Sequence, residues 1–79
     1  MKAEELRQYL WREPFQAFRV RLKDGRTFDI RDPRLHLAGE SVFMIGIPAP
    51  DEPRFYDRQE WVMMTEIDGI DLLPQATTH

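Results

Sequence analysis

The alternation of apolar and polar residues from 18 to 30 constrains the fold more than any other feature of the sequence. Three apolar residues alternate with arginines in FRVRL, before Asp24-Gly25, and two more alternate with polar residues in TFDI, after it. A period of two on both sides of an Asp-Gly step predicts two antiparallel strands joined by a tight turn. We therefore expect a mainly β chain.

The parity of these apolar positions predicts the length of the turn. Opposite residues of a hairpin share a face, and the apolar positions of both strands are even-numbered. The loop must therefore hold an odd number of residues, because a two-residue Asp-Gly loop would place Leu22 opposite Thr27. We predict a three-residue loop at 23–25 with Gly25 in the left-handed region. The predicted pairs are Phe18 with Ile30, Val20 with Phe28 and Arg19 with Asp29.

One helix and several short strands complete the predicted architecture. Residues 2–12 carry apolar side chains at helical spacing, with two glutamates in the first turn and Pro14 beyond the end. Residues 42–47 are apolar apart from one glycine, which indicates a strand buried on both faces or facing a partner subunit. We also expect strands at 35–37, 61–67 and 70–73, a turn at Asp68-Gly69, an extended acidic loop at 48–60 and a frayed tail from Gln75.

Length and charge favour a single self-associating domain. The chain has 79 residues, which we divide into a helix at 2–12, a β-barrel at 15–73 and a tail at 74–79. Residues 1–34 carry a net charge of +3 and residues 35–79 a net charge of −6. Opposite charge in the two halves, in a chain with a small core, favours a homo-oligomer. The sequence has no cysteine and no apolar run of membrane-spanning length, so we expect a cytoplasmic protein without membrane association.

The stretch VRLKDGRTFDI at 20–30 resembles the opening signature of the Sm-like fold. The resemblance implies an SH3-like or Sm-like small antiparallel barrel with the helix over one open end. It does not extend to the RNA-binding residues of Sm-like proteins, because the chain has no asparagine and Ile30 replaces a glycine that is usual there. The order helix, Pro-Phe-x-x-Phe at 14–18, Asp-Gly-Arg at 24–26 and Asp-Pro at 32–33 also resembles small bacterial proteins to which no activity is assigned.

A basic segment at 19–34 supports the alternative of RNA binding. Its cations face outward in the predicted register and could contact phosphates. A pI of about 5.3 and the interleaved aspartates favour instead a solvated sheet face with cross-strand ion pairs. The predicted contacts of the RNA alternative are Arg19, Arg21, Lys23, Arg31 and Arg34.

Two other surfaces are candidates for protein contacts. Phe55, Tyr56 and Trp61 could form an aromatic groove for an extended peptide, although such residues commonly close a core. The edge of the strand at 61–67 has glutamates only near its ends. Pairing it with the strand at 70–73 of another copy would close a ring, whereas two identical edges would give a dimer. The predicted subunit interface consists of Val62, Met63, Met64, Ile70 and Leu72.

Candidate catalytic residues are few. The chain has two histidines, His36 and His79, a single serine, Ser41, and no metal-ligand spacing or glycine-rich phosphate loop. We therefore predict no catalytic residue, no metal and no cofactor. The predicted function is a non-enzymatic small barrel that self-assembles, binds a protein partner, or does both, and the alternative is an Sm-like RNA-binding protein.

Overall fold

The computed structural model describes residues 1–74, which are mainly β with one short N-terminal helix. The predicted tail at 75–79, which includes His79, lies outside the described residues. The elements are α1 (Ala3–Leu10), β1 (Phe18–Leu22), β2 (Thr27–Ile30), a first 3₁₀ turn (Pro33–Leu35), β3 (His36–Ala38), β4 (Val42–Ala49), β5 (Glu52–Met63), a second 3₁₀ turn (Met64–Glu66) and β6 (Ile67–Leu72).

The strands form two antiparallel sheets of three strands each. The first sheet has the order β2-β1-β6 and the second has the order β3-β4-β5. The last strand thus returns to pair with the first, with Phe18 opposite Leu72 and Val20 opposite Ile70. Within residues 1–74 the two sheets do not join into a closed barrel. The small antiparallel architecture is as expected, and the barrel closure is not observed.

The β1–β2 hairpin has the predicted register. Phe18 lies opposite Ile30, Arg19 opposite Asp29 and Val20 opposite Phe28. The backbone N–H of Leu22 donates to the carbonyl of Arg26 at 2.8 Å, which closes a three-residue loop. Gly25 has φ of 95°, a conformation that a side chain penalises. The parity argument is therefore confirmed.

The core lies between the two sheets and one face of α1. The helix contributes Ala3, Leu6 and Leu10 to the buried cluster. Their spacing places them on one side of the helix, which is the reason that this short amphipathic segment is helical and packed. Tyr9 adds an aromatic contact, with its ring centroid 5.5 Å from that of Phe18. The largest fully buried side chains are Phe18, Phe43, Leu6, Ile30, Ile45, Val20 and Val62.

The segment predicted as an acidic loop at 48–60 is a β-hairpin, so that prediction was wrong. β4 continues to Ala49, which pairs with Glu52 at the start of β5. The prolines are compatible with strands because of their neighbours. β3 pairs with β4 only as far as Ile45, so the missing N–H of Pro48 leaves no partner on that side unsatisfied. Pro53 lies on the edge strand β5, where proline is also tolerated.

The chain reverses at the second 3₁₀ turn rather than at Asp68-Gly69, which was also predicted wrongly. The Glu66 carboxylate accepts a hydrogen bond from the backbone N–H of Met63 at 3.1 Å and stabilises this turn. The predicted strand at 61–67 is split there. Gly69 lies within β6 opposite Arg21, and a Cβ at that position would collide with the guanidinium of Arg21. The glycine accommodates a crossing side chain and does not form a turn.

Candidate functional site

The arginines of the predicted RNA surface are paired with aspartates. Arg19 Nε donates to Asp29 at 2.7 Å. Arg21 bridges two acids of β6, with Nε 2.7 Å from Asp71 and Nη1 3.2 Å from Asp68. The remaining two pairs are Arg31 with Asp29 at 3.4 Å and Arg34 with Asp32 at 2.8 Å. Lys23 is exposed in the hairpin loop.

Because of this pairing, positive and negative side chains alternate on this face. The hydrogen bond from Arg19 lowers the pKa of Asp29, so the carboxylate stays charged at neutral pH and neutralises its partner. A phosphate would have to compete with these carboxylates for each guanidinium. The arrangement fits the solvated ion-pair face that was weighed against RNA binding, and the RNA contacts themselves stay a prediction.

The predicted subunit interface divides between core and surface. Val62 and Met64 are buried in the shared core, so they are not available to another chain. Met63 is 46% exposed and Leu72 is 47% exposed, while Ile70 is partly buried. Alternation along β5 places Val62 and Met63 on opposite faces of the sheet, whereas Met64 lies in the second 3₁₀ turn. Of the predicted interface residues, Met63 on β5 and Leu72 on β6 are thus the most exposed to another subunit.

An apolar row crosses the outer face of the second sheet. Leu37 on β3 lies opposite Met44 on β4, which lies opposite Trp61 on β5. Leu37 is 66% exposed and Trp61 is 60% exposed, and Met44 is buried outside the core cluster. Met63 extends this row along β5 on the same face. Leu37 and Met44 were not identified from the sequence, because their adjacency depends on strand pairing.

The three predicted groove aromatics do not form one groove. Trp61 belongs to the apolar row, whereas Phe55 and Tyr56 lie farther along β5, next to the first 3₁₀ turn. Tyr56 packs over Gly46, where its ring occupies the space of the absent Cβ. Phe55 is 63% exposed, and the guanidinium carbon of Arg54 lies 6.0 Å from its ring centroid.

Phe55 and Tyr56 line a different groove together with two arginines. We call this the arginine groove, and it has a volume of about 510 Å³. Its lining residues are Arg34, Leu35, Arg54, Phe55 and Tyr56. It combines residues that the sequence had assigned to separate candidate sites, Arg34 to RNA and the aromatics to a peptide. Leu35 and Arg54 were missed.

A sequence signal for Arg54 does exist. The pattern acid-Pro-Arg occurs twice, at 32–34 and at 52–54. In the second copy the chain is extended, so side chains i and i+2 lie on the same side of the strand. In the first copy Asp32 precedes the first 3₁₀ turn and caps it with its side chain. In both copies the acid accepts from the backbone N–H of the arginine and from its Nε and Nη2, as the hydrogen bonds of Asp32 and Glu52 show.

The visible role of His36 is structural. Its Nδ1 accepts a hydrogen bond from the backbone N–H of Gly46 at 3.2 Å, which connects β3 to β4. Burial lowers the pKa of His36 to about 4, and the nearby charge of Asp32 opposes that shift. The ring is therefore neutral at pH 7 and able to accept this bond. No group of three or more potential metal ligands is found among residues 1–74.

Comparisons with known proteins do not add to this picture. The chain matches no protein-family model, no curated protein and no solved structure. In the described part of the chain, the single α-helix is too short to cross a membrane.

Proposed function

We propose that the chain is a non-enzymatic interaction module that self-assembles head to tail, with β5 of one copy pairing with β6 of the next. The observation that carries this proposal is the position of these strands, since each forms a free edge of its sheet. Unpaired backbone groups of an edge strand favour pairing with another chain.

The other two edges are less suited to pairing. β2 has four residues and β3 has three, and short edge strands limit intermolecular pairing. β5 has twelve residues and β6 has six. The longest edge therefore meets the next longest in the proposed contact.

One part of β5 is suited to the contact. Residues 59–63 keep a regular register with β4, whereas the register shifts beyond Ile47. A bulge of this kind and the proline at Pro53 both blunt an edge. The regular part carries Trp61 and Met63, which are exposed, and β6 presents Leu72. The apolar side chains beside these two edges would be covered by assembly.

We also propose that the chain is related to the Sm-like or SH3-like small barrels. The pairing of β6 with β1 supports it, because it brings the end of the chain back to the first strand as barrel closure requires. A bacterial origin and a cytoplasmic location remain predictions from the sequence.

Mixed variants test the head-to-tail geometry. Met63→Lys damages the β5 edge and Leu72→Lys damages the β6 edge, while each leaves the other edge intact. Each variant alone is expected to stay near 9.4 kDa in sedimentation velocity at about 200 µM, where the wild type is larger. An equimolar mixture restores one good contact and is expected to give a heterodimer of twice the chain mass.

The structure also provides a control variant for the assembly test. Trp11 is exposed at the end of α1, outside both edges, so Trp11→Lys is expected to assemble like the wild type. A wild-type mass of 9.4 kDa at every concentration refutes self-assembly. If one of the two variants is dimeric by itself while the other is monomeric, the contact is made by two identical edges instead.

A further inference from the structure

We propose that the arginine groove binds an acidic peptide segment, with a carboxylate held between Arg34 and Arg54 and an apolar neighbour on Phe55. This site is separate from the self-assembly contact, because the groove adjoins the opposite end of β5 from residues 59–63.

The two guanidinium groups are held in place by their own acids. Arg34 uses Nε and Nη2 to bind Asp32 at 3.0 and 2.8 Å. Arg54 uses the same atoms to bind Glu52, at 2.9 Å each. A guanidinium has five N–H donors, so about three remain on each group for a ligand. Holding the side chains in advance reduces the entropy lost when an anion binds.

The two arginines are close enough to affect each other. Hydrogen bonds to Glu52 raise the pKa of Arg54, while desolvation and, to a smaller extent, the positive charge of Arg34 oppose that rise. Two cations that line one groove favour an anion between them, because the anion relieves their mutual repulsion. Each arginine side chain is more than 70% exposed, so a ligand can reach both.

The surroundings favour a carboxylate over a phosphate monoester. Asp32 and Glu52 already neutralise much of the positive charge, so a doubly charged monoester would meet a weak field and two nearby carboxylates. A singly charged carboxylate can share each guanidinium with the resident acid. Phe55 and Leu35 add an apolar wall for the residue next to it. An extended peptide with alternating acidic and aromatic residues combines these features.

Nuclear magnetic resonance titration tests this site with a defined probe. The probe is acetyl-Phe-Asp-Phe-Asp-amide, and the neutral comparison is acetyl-Phe-Asn-Phe-Asn-amide. We expect the acidic peptide to shift the backbone amide signals of residues 34–35 and 54–56 in a saturable way, at millimolar concentration or below. We expect the neutral peptide to bind at least tenfold more weakly.

Matched variants separate the site from general charge effects. Arg34→Gln and Arg54→Gln are each expected to weaken the acidic peptide by about tenfold, since each removes one charge-assisted contact. Arg26 makes the same kind of contact to Asp24 two residues earlier but lies beside the β1–β2 hairpin loop, outside the groove. Arg26→Gln is therefore the control and is expected to bind like the wild type.

Three outcomes would overturn the proposal. Equal binding of the acidic and neutral peptides would show that the charges are not used. An equal loss of affinity for the acidic peptide in the Arg26→Gln variant would show that the contribution of charge is not confined to the arginine groove. Tighter binding of hexauridylate than of the acidic peptide, at the same groove signals, would assign the site to RNA. Each result can be obtained with the monomeric Met63→Lys protein, so failure of self-assembly does not affect the test.

Discussion

Replacement of Gly46 by alanine tests how closely the first 3₁₀ turn packs against the second sheet. Gly46 is buried in β4, opposite Gln59 of β5. An added Cβ would collide with the backbone carbonyl of Leu35 and would lie 2.9 Å from Cδ1 of Tyr56. The ring of Tyr56 can rotate away, but the carbonyl belongs to backbone that is fixed on both sides. The turn and β4 must therefore separate.

The expected cost follows from two opposing effects. Overpacking a buried position costs about 1–3 kcal/mol. Removing a glycine from a strand returns about 0.5–1 kcal/mol, because the unfolded chain loses less entropy on folding. Because the collision is with fixed backbone, the cost of overpacking lies in the upper part of its range, about 2–3 kcal/mol, and we expect Gly46→Ala to lower the free energy of unfolding by about 1–2.5 kcal/mol.

Urea unfolding followed by tryptophan fluorescence measures this change. Gly39→Ala is the matched control, because a Cβ there would have its nearest contact at 3.3 Å, with the carbonyl oxygen of Val42. Its loss should be smaller, below about 1 kcal/mol, because a shift of a few tenths of an ångström relieves that contact. Gly46→Ala should also weaken the acidic peptide, since Leu35 and Tyr56 line the arginine groove. A Gly46→Ala protein as stable as the wild type would refute the close approach.

Three further predictions concern the hairpin, the buried histidine and the ion-pair face. Gly25→Ala should cost about 1 kcal/mol through its positive φ rather than through packing, leave peptide binding unchanged, and be measured by the same unfolding assay. The pKa of His36 is about 4 in the folded protein and 6.5 in the unfolded chain, so the free energy of unfolding should fall by about 1–2 kcal/mol as the pH drops from 6.5 to 4, after allowance for partial exposure. His36→Gln should flatten that part of the pH profile of stability. An unchanged slope in the variant would exclude His36 as its source. Arg21→Gln removes the ion pairs of Arg21 with Asp68 and Asp71 on an exposed surface. The free energy of unfolding should therefore fall by at most about 1 kcal/mol in low salt, and this loss should disappear in about 1 M NaCl. A loss of stability that persists in salt would indicate lost packing instead.

The sequence was sufficient for features that depend on local alternation. The hairpin register followed from the parity of apolar positions, because a shift by one residue would expose the whole apolar face. The strand status of 48–60 was missed because the cost of Pro48 depends on whether β3 extends far enough to need its N–H. The Asp68-Gly69 step was misread for a similar reason, since the crossing of Arg21 is a contact between distant parts of the chain.

Only part of the candidate site could be predicted from the sequence, for the same physical reason. Arg34, Phe55 and Tyr56 were identified from their residue types, but their proximity depends on the first 3₁₀ turn lying against β5. No local pattern predicts that contact between segments twenty residues apart. The repeated acid-Pro-Arg tripeptide predicts two prearranged guanidinium groups, and the fold determines that both line one groove.

The far part of β5 stands apart from the core, because its residues 53–61 are exposed on both faces. Such a segment can open without unfolding the rest of the protein, since little buried apolar contact is lost. Its amides should exchange with solvent much faster than those of β1, and the Pro50-Asp51 turn should be the first site of protease cleavage. Occupation of the arginine groove would then slow exchange in this segment while leaving the global melting temperature nearly unchanged.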